Sequence, residues 1–326
     1  MRAVVCEELG PADKLKVLEL PSPELKKGQI RVGVHACGVN FPDTLIIQGL
    51  YQVRPPLPFT PGIEFAGEVL ELGEGVSNVK VGDRIFSATM IGGYADEAVI
   101  PAVTAIPMPD NVSYEQAASV PCVYGTSIHA LKQRGNLQAG ETLLVLGATG
   151  GVGMATIQIG KMMGATVIAA GGSDEKLKHA TAAGADHVLN YNEQDIRETV
   201  KGLTGGKGAD VVFDAVGGDI FDQAIKSINW GARYLIIGFA AGRIPELAVN
   251  RLLVKNASVV GVFWGQWAAL NPAENASNFA QVVGWLASGE MEVPIHAAYD
   301  LEQVAQAHEA ILKRQVVGKV VLTTGR

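Results

Sequence analysis

Residues 141–170 read ETLLVLGATGGVGMATIQIGKMMGATVIAA, and the fold follows from how this stretch changes period. Leu143, Leu144, Val145 and Leu146 form a short apolar run with glycine after it, the pattern of a strand covered on both faces. Ala148-Thr149-Gly150-Gly151-Val152-Gly153 then interrupts the run as a G-x-G-x-x-G variant with alanine in the first glycine place. In such a turn Gly150 lets the backbone approach a pyrophosphate and Gly153 lets the helix lie close on the strand. The unpaired N–H groups of the helix N-terminus face the anion. A glycine run alone reads equally as a tight turn. Its setting favours more: a strand precedes, an amphipathic helix over 154–163 follows, and Val167 to Ala170 form a second buried strand. The βαβ unit predicts dinucleotide binding.

The strand-then-helix rhythm extends outward from this unit. Strands are expected at 187–190, 210–214, 233–237 and 258–263, with helices near 193–203 and 219–228. Six strands alternating with helices make a doubly wound parallel sheet. Residues 1–120 instead read as a mainly β module, with strands at 3–6, 15–19, 29–36, 64–72 and 84–87 and a hairpin-like arm at 92–99. Ser113 has the N-cap chemistry for a helix leading toward the second module. After about residue 264 the chain departs from the sheet pattern, with helices at 271–288 and 301–313, an extended piece at 296–299 and a last strand at 319–322. Such a tail most simply returns to the first module. The expected domains are 1–122 with 264–326, and 123–263.

Composition narrows the function classes. A chain of 326 residues that is 48% hydrophobic can bury about two cores, and its 39 glycines suit many tight strand–helix turns. A net charge of −7 without a Lys/Arg cluster argues against a nucleic-acid partner. No apolar run reaches the roughly 18 residues of a membrane span, and MRAVVCEELG leads straight into a strand. The expectation is a cytoplasmic protein. Cys6, Cys37 and Cys122 give neither a disulfide framework nor a four-cysteine zinc knot, and the six histidines show no ligand spacing.

The choice of dinucleotide turns on the end of the second strand. An NAD site usually has Asp or Glu there, about 20 residues past the glycines. This chain has Ala170-Gly171-Gly172-Ser173, with Asp174 and Glu175 displaced into the first turn of a helix that Ser173 caps. Lys176 lies on the same turn as Ser173 and can meet a 2′-phosphate, with a solvated surface lysine as the alternative. The reading favours NADPH.

Several stretches together carry a family resemblance: Gly38-Val39-Asn40-Phe41-Pro42-Asp43, Gln48-Gly49-Leu50-Tyr51, Pro61-Gly62-Ile63-Glu64-Phe65-Ala66-Gly67, Val81-Gly82-Asp83-Arg84-Ile85, Ala148 to Gly153, and Gly184-Ala185-Asp186-His187-Val188-Leu189-Asn190-Tyr191. In order along most of the chain, they resemble the zinc-independent quinone oxidoreductase branch of the medium-chain dehydrogenase/reductase superfamily. The resemblance implies an α/β fold, a Rossmann sheet plus a mainly β GroES-like substrate domain. At the places where zinc relatives carry Cys, His and Cys, this chain has Asn40, Ile63, and Val123 or Tyr124, which cannot replace thiolate and imidazole.

The implied activity is NADPH-dependent hydride transfer to quinones or α,β-unsaturated carbonyls, with Tyr51 and Asn40 as catalytic candidates near the nicotinamide. Cofactor contacts implied by the resemblance are Thr126, Gly150, Gly151, Val152, Gly153, Ser173, Lys176, Tyr191, Val216, Gly238, Phe239, Phe263 and Arg314. Quinone reductases often have a second aromatic where Leu45 stands, and 2-enoyl thioester reductases keep a tyrosine at the place of Tyr51. An enoyl thioester reductase is therefore the alternative enzyme, and a non-catalytic cofactor-binding protein the alternative of another class. The apolar, proline-free stretch 258–263 and the resemblance both predict a homodimer through that sheet edge.

Overall fold

In the computed structural model, which describes residues 1–326, the chain passes twice between two units: Met1–Cys122 with Phe279–Arg326, and Val123–Asn278. The outward passage comes where the strand rhythm changes to strand-then-helix. The return lies inside a long helix after Asn278, later than the expected boundary at 263, so residues 264–278 go with the parallel-sheet unit.

The chain opens with an antiparallel pair, β1 (Arg2–Val5) and β2 (Lys16–Glu19). The long β3 (Gln29–Val39) leads into a short helix, α1 (Phe41–Ile46), which sequence periodicity does not reveal because six residues span less than two turns. Next come β4 (Glu64–Leu72), β5 (Arg84–Ala88), β6 (Glu97–Pro101), β7 (Ile106–Pro107) and α2 (Tyr114–Ala118). As expected, Ser113 caps α2, its hydroxyl accepting from Gln116 N at 3.2 Å.

Helix α3 (Pro121–His129) then precedes the alternating series. Its elements are β8 (Thr142–Leu146), α4 (Gly151–Met162), β9 (Thr166–Gly171), α5 (Asp174–Ala182), β10 (His187–Asn190), α6 (Ile196–Leu203), β11 (Ala209–Asp214), α7 (Gly218–Ala224), β12 (Ile228–Ile236), α8 (Asn250–Leu253) and β13 (Ser258–Gly261). All six strands pair in parallel in the order β10-β9-β8-β11-β12-β13. This is the doubly wound, Rossmann-type sheet, and Leu144, Leu146, Ile168, Val212 and Tyr234 bury one of its faces. The last strand stops at Gly261, two residues short of the expected end, and Phe263 becomes the N-cap of α9 (Trp264–Leu270).

Helix α10 (Pro272–Ser288) carries the return, followed by β14 (Ile295–Asp300), α11 (Val304–Leu312) and β15 (Lys319–Thr323). The tail does complete the first unit. β15 inserts between β14 and β3, giving a sheet ordered β14-β15-β3-β4-β5-β7 with β6 also on β3. Val4, Ile30, Val32, Phe65, Ile85 and Leu322 form the core of this GroES-like unit.

Candidate active site

In the parallel-sheet unit the site is built mainly of backbone. After β8 the left-handed conformation falls on Gly147, at φ +71°, not on the alanine that follows. That explains Ala148: the glycine needed for the tight turn stands one residue earlier than the motif places it, and Ala148 N donates to Ala170 O at 3.0 Å. Gly150 is the N-cap of the twelve-residue α4 and offers no side chain to its first-turn N–H groups. Those groups are what an anion would meet. A Cβ on Gly153 would lie 2.3 Å from Gly147 O and 2.7 Å from Ala148 backbone, so only glycine permits this approach of helix to strand.

At the carboxyl end of β9, Ser173 occupies the N-cap of α5 as expected, but its hydroxyl makes no capping bond. The two displaced carboxylates are both engaged: Asp174 accepts from Asn190 Nδ2 at 2.9 Å and Glu175 pairs with Lys178. Lys176 is half-buried, which lowers its pKa. Tyr191 lies against Gly172, where a Cβ would come within 3.1 Å of its ring. Ser173, Lys176 and Tyr191 thus belong to one corner of the sheet's carboxyl edge.

A second corner forms at β11 and β12. Asp214, a residue the sequence reading passed over, accepts from Val216 N (2.8 Å), Gly217 N (2.9 Å) and the Tyr234 hydroxyl (2.8 Å). Burial raises its pKa against these bonds. The turn it holds sets Val216 beside Gly147, and Phe239, which follows Gly238, beside Gly217. Phe263 lies just beyond β13 and is 47% exposed. Thr126 is half-buried on α3, next to Ser127, whose hydroxyl donates to Val152 O at 3.1 Å and so fastens α3 to the first turn of α4.

The GroES-like unit builds differently, around charge. Asn40, a catalytic candidate, is only 4% exposed, and both ends of its amide are engaged. Its Nδ2 donates to Glu64 Oε1 at 2.7 Å, and its Oδ1 accepts from Lys319 Nζ at 2.6 Å. Both polar atoms of this side chain already have a protein partner, and one amide N–H is left over. Lys319 also donates to Glu64 Oε1 (2.7 Å) and Val39 O (3.1 Å), while Glu64 Oε2 accepts from Cys122 N (2.7 Å). Beside this group, Asp43 Oδ2 accepts from Asn40 N at 2.8 Å, and its other oxygen has no partner. Burial, opposed by that N–H and by Lys319, pushes the Asp43 carboxyl up to about 7. The Cys37 thiol donates to Gly93 O and is pushed up by burial.

Tyr51 stands in the loop after α1 and packs on Cys6, Ile46, Ile47 and Phe59. No hydrogen bond engages its hydroxyl. Burial, then Cys122 and Asp43, push its phenol up to about 12, so it holds its proton across the neutral range. Arg314, between α11 and β15, is exposed. Sequence reading found Tyr51 but gave no role to Glu64, Lys319 or Asp43. Lys319 meets partners 279 and 255 positions away, and no local pattern encodes such a meeting.

Residues 26–110 match the alcohol dehydrogenase GroES-like domain family and residues 151–287 the zinc-binding dehydrogenase family. The chain is 39% identical to the quinone oxidoreductase-like protein 2 of Rattus norvegicus, over 99% of this chain and 92% of that one. It is 34% identical to the Rattus norvegicus quinone oxidoreductase, over 99% and 97%. The chain belongs to the quinone oxidoreductase branch of the medium-chain dehydrogenase/reductase superfamily. Within that branch, the Escherichia coli quinone oxidoreductase, solved with NADPH bound, superposes with a TM-score of 0.91 at 30% identity, covering 99% of this chain and 100% of that one.

Proposed function

We propose that this quinone oxidoreductase relative is a zinc-independent, NADPH-dependent reductase of quinones or α,β-unsaturated carbonyls. The observation that carries the reading is Tyr51, a phenol that stays protonated and has no internal partner, in a loop packed on a buried apolar cluster. NADPH supplies the hydride. Quinones and enones spread the charge that follows, so one hydrogen-bond donor suffices to stabilise the oxyanion. Tyr51 is that donor.

The residues present suit the cofactor. Gly150, Gly151, Val152 and Gly153 would cradle the pyrophosphate at the start of α4, with Thr126, Val216, Gly238, Phe239 and Phe263 supporting the rest. Ser173, Lys176 and Tyr191 would hold a 2′-phosphate, since Asp174 and Glu175 stand in the first turn of α5 and not at the end of β9. Zinc does not fit. Asn40 is engaged at both ends, Ile63 has no donor atom, and no three His, Cys, Asp or Glu side chains are grouped to hold a metal ion.

The same tyrosine suits a second reading, reduction of 2-enoyl thioesters, in which the α-carbon must take a proton. A third, non-catalytic cofactor binding, predicts no turnover at all. The proposal also includes a cytoplasmic homodimer through the edge strand β13, around which Trp230, Val249, Leu253 and Val254 are exposed. Sedimentation at micromolar concentration and cell fractionation test those two points.

The decisive experiment follows NADPH and NADH oxidation with a panel of quinones, enones and enoyl-CoA esters. Tyr51→Phe should lower turnover roughly 10²- to 10³-fold while leaving NADPH affinity unchanged. A loss confined to enoyl thioesters would favour the second reading. Equal affinity for NADH and NADPH, or stoichiometric zinc whose chelation stops turnover, would overturn the corresponding part of the proposal.

A further inference from the structure

Lys319 is among the least exposed charged residues of the chain, at 3%, and it faces a fully buried glutamate. For stability alone this is a poor arrangement, because well-packed apolar side chains of similar volume serve as well or better. A buried charge that persists calls for a geometric reason. Lys319 and Glu64 join four pieces of chain at one point: the first residue of β15, the first of β4, the junction of β3 with α1, and the backbone at Cys122.

From that point a path of hydrogen bonds leads through α1 to Leu50, the residue before Tyr51. Lys319 and Glu64 clamp the Asn40 amide, and Asn40 N donates to Asp43 Oδ2, which sets the first turn of α1. Ile47 N donates to Asp43 O, Gln48 Nε2 to Thr44 O at 2.6 Å, and Leu50 N to Leu45 O at 2.9 Å. Tyr51 packs against the buried cluster of Cys6, Ile46, Ile47 and Phe59, in which Ile46 ends the same helix and Ile47 caps it. A six-residue helix does not hold itself in place, so its direction depends on what grips its ends. We infer that Lys319 is a positioning residue for Tyr51: with Glu64 it fixes the start of α1, and α1 fixes the phenol.

The kinetic arm of the test rests on the proposed activity; the spectroscopic arm does not. 3-Fluorotyrosine is placed at position 51, or at position 191 as a control, and followed by fluorine NMR in the unmodified chain, Lys319→Met and Lys319→Arg. In Lys319→Met the position 51 resonance should move and broaden while that at 191 stays, and Lys319→Arg should restore part of the original line. With the acceptor reduced by the unmodified protein, Lys319→Met should lower kcat roughly 10- to 10²-fold with NADPH affinity unchanged. In a Tyr51→Phe background it should remove little more. An unmoved resonance at 51, or an equal further loss without the Tyr51 hydroxyl, would overturn the inference. Should Lys319→Met fail to fold, Glu64→Gln takes its place with the same outcomes. If the unmodified protein reduces no acceptor, the functional proposal fails and the resonances still decide the placement.

Discussion

The two units solve the problem of holding a site rigid in opposite ways. Around β8 and α4 the work is done by backbone: a positive-φ glycine, a glycine with no room for Cβ, and N–H groups at a helix start. Around α1 it is done by side chains with formal charge, buried and linked across β3, β4 and β15. The first solution is local in sequence and tolerates little change at any one residue. The second is distributed, and its members matter through one another. The contrast also marks the kind of perturbation each region resists, since an added methyl group threatens the first and a change of protonation the second.

The largest expected effect is in the backbone-built turn. A methyl group at Gly153 meets backbone atoms at 2.3 and 2.7 Å, and these cannot swing away as a flexible side chain would. Gly153→Ala should therefore sit at the upper end of overpacking costs, about 3 kcal/mol, and weaken NADPH binding by roughly 10²-fold. Isothermal titration and thermal unfolding of the variant measure both. Wild-type affinity with a methyl group at 153 would show that the turn has slack, and the contrast between the units would lose its basis.

That locality explains what the sequence disclosed. Gly150 and Gly153 sit three residues apart between two apolar runs, so the parallel sheet, all six of its strands and the turn could be read directly. Even there one detail escaped, because nothing local says that Gly147 and not residue 148 takes the positive φ. The charged junction was illegible for the opposite reason. Asn40, Glu64 and Lys319 each sit in an unremarkable local setting, and only the insertion of β15 beside β3 brings them together. Asn40 stands in a motif that the sequence shows, but the partners that hold its amide come from β4 and β15, and no local pattern names them.

A middle-sized effect tests the charge-built region by pH. The Asp43 carboxyl is held near 7, against about 4 in an unfolded chain, so between those values the folded state binds a proton that the unfolded state has lost. Its contribution to stability is therefore fullest at the acid end and declines as pH rises toward 7. His129 and His308, both held down to about 4 by burial, act in the other direction between about 4 and 6.5, so the total curve mixes the two. The difference between unmodified protein and Asp43→Asn isolates the carboxyl: the variant should be relatively more stable at pH 8 than at pH 5. Chemical denaturation at the two pH values decides it. A difference that does not change with pH would mean that Asp43, among Lys319, Glu64, Tyr94 and Cys37, keeps one protonation state from pH 5 to pH 8.

The smallest expected effect concerns the one non-glycine residue of the charge-built unit that takes on a backbone conformation suited to glycine. Three non-glycine residues have positive φ; two are asparagines, which tolerate it, and the third is Arg314 at φ 54°. It ends α11 in a Schellman turn, with Arg314 N donating to Ile311 O at 2.9 Å and Gln315 N to Ala310 O at 3.1 Å. Glycine at that position avoids a steric cost of about 1 kcal/mol, so keeping arginine there calls for a use of its charge. If Arg314 meets the cofactor, as the family resemblance implies, Arg314→Gly should raise unfolding stability by about 1 kcal/mol and weaken NADPH binding roughly fivefold. Arg314→Asn separates the two effects, because asparagine also tolerates this conformation but removes the charge. It should show the same loss of affinity with less gain in stability. If both variants are stabilised and bind NADPH as the unmodified protein does, the arginine is a surface residue in a strained turn, and the charge-built unit contributes nothing to cofactor binding at this position.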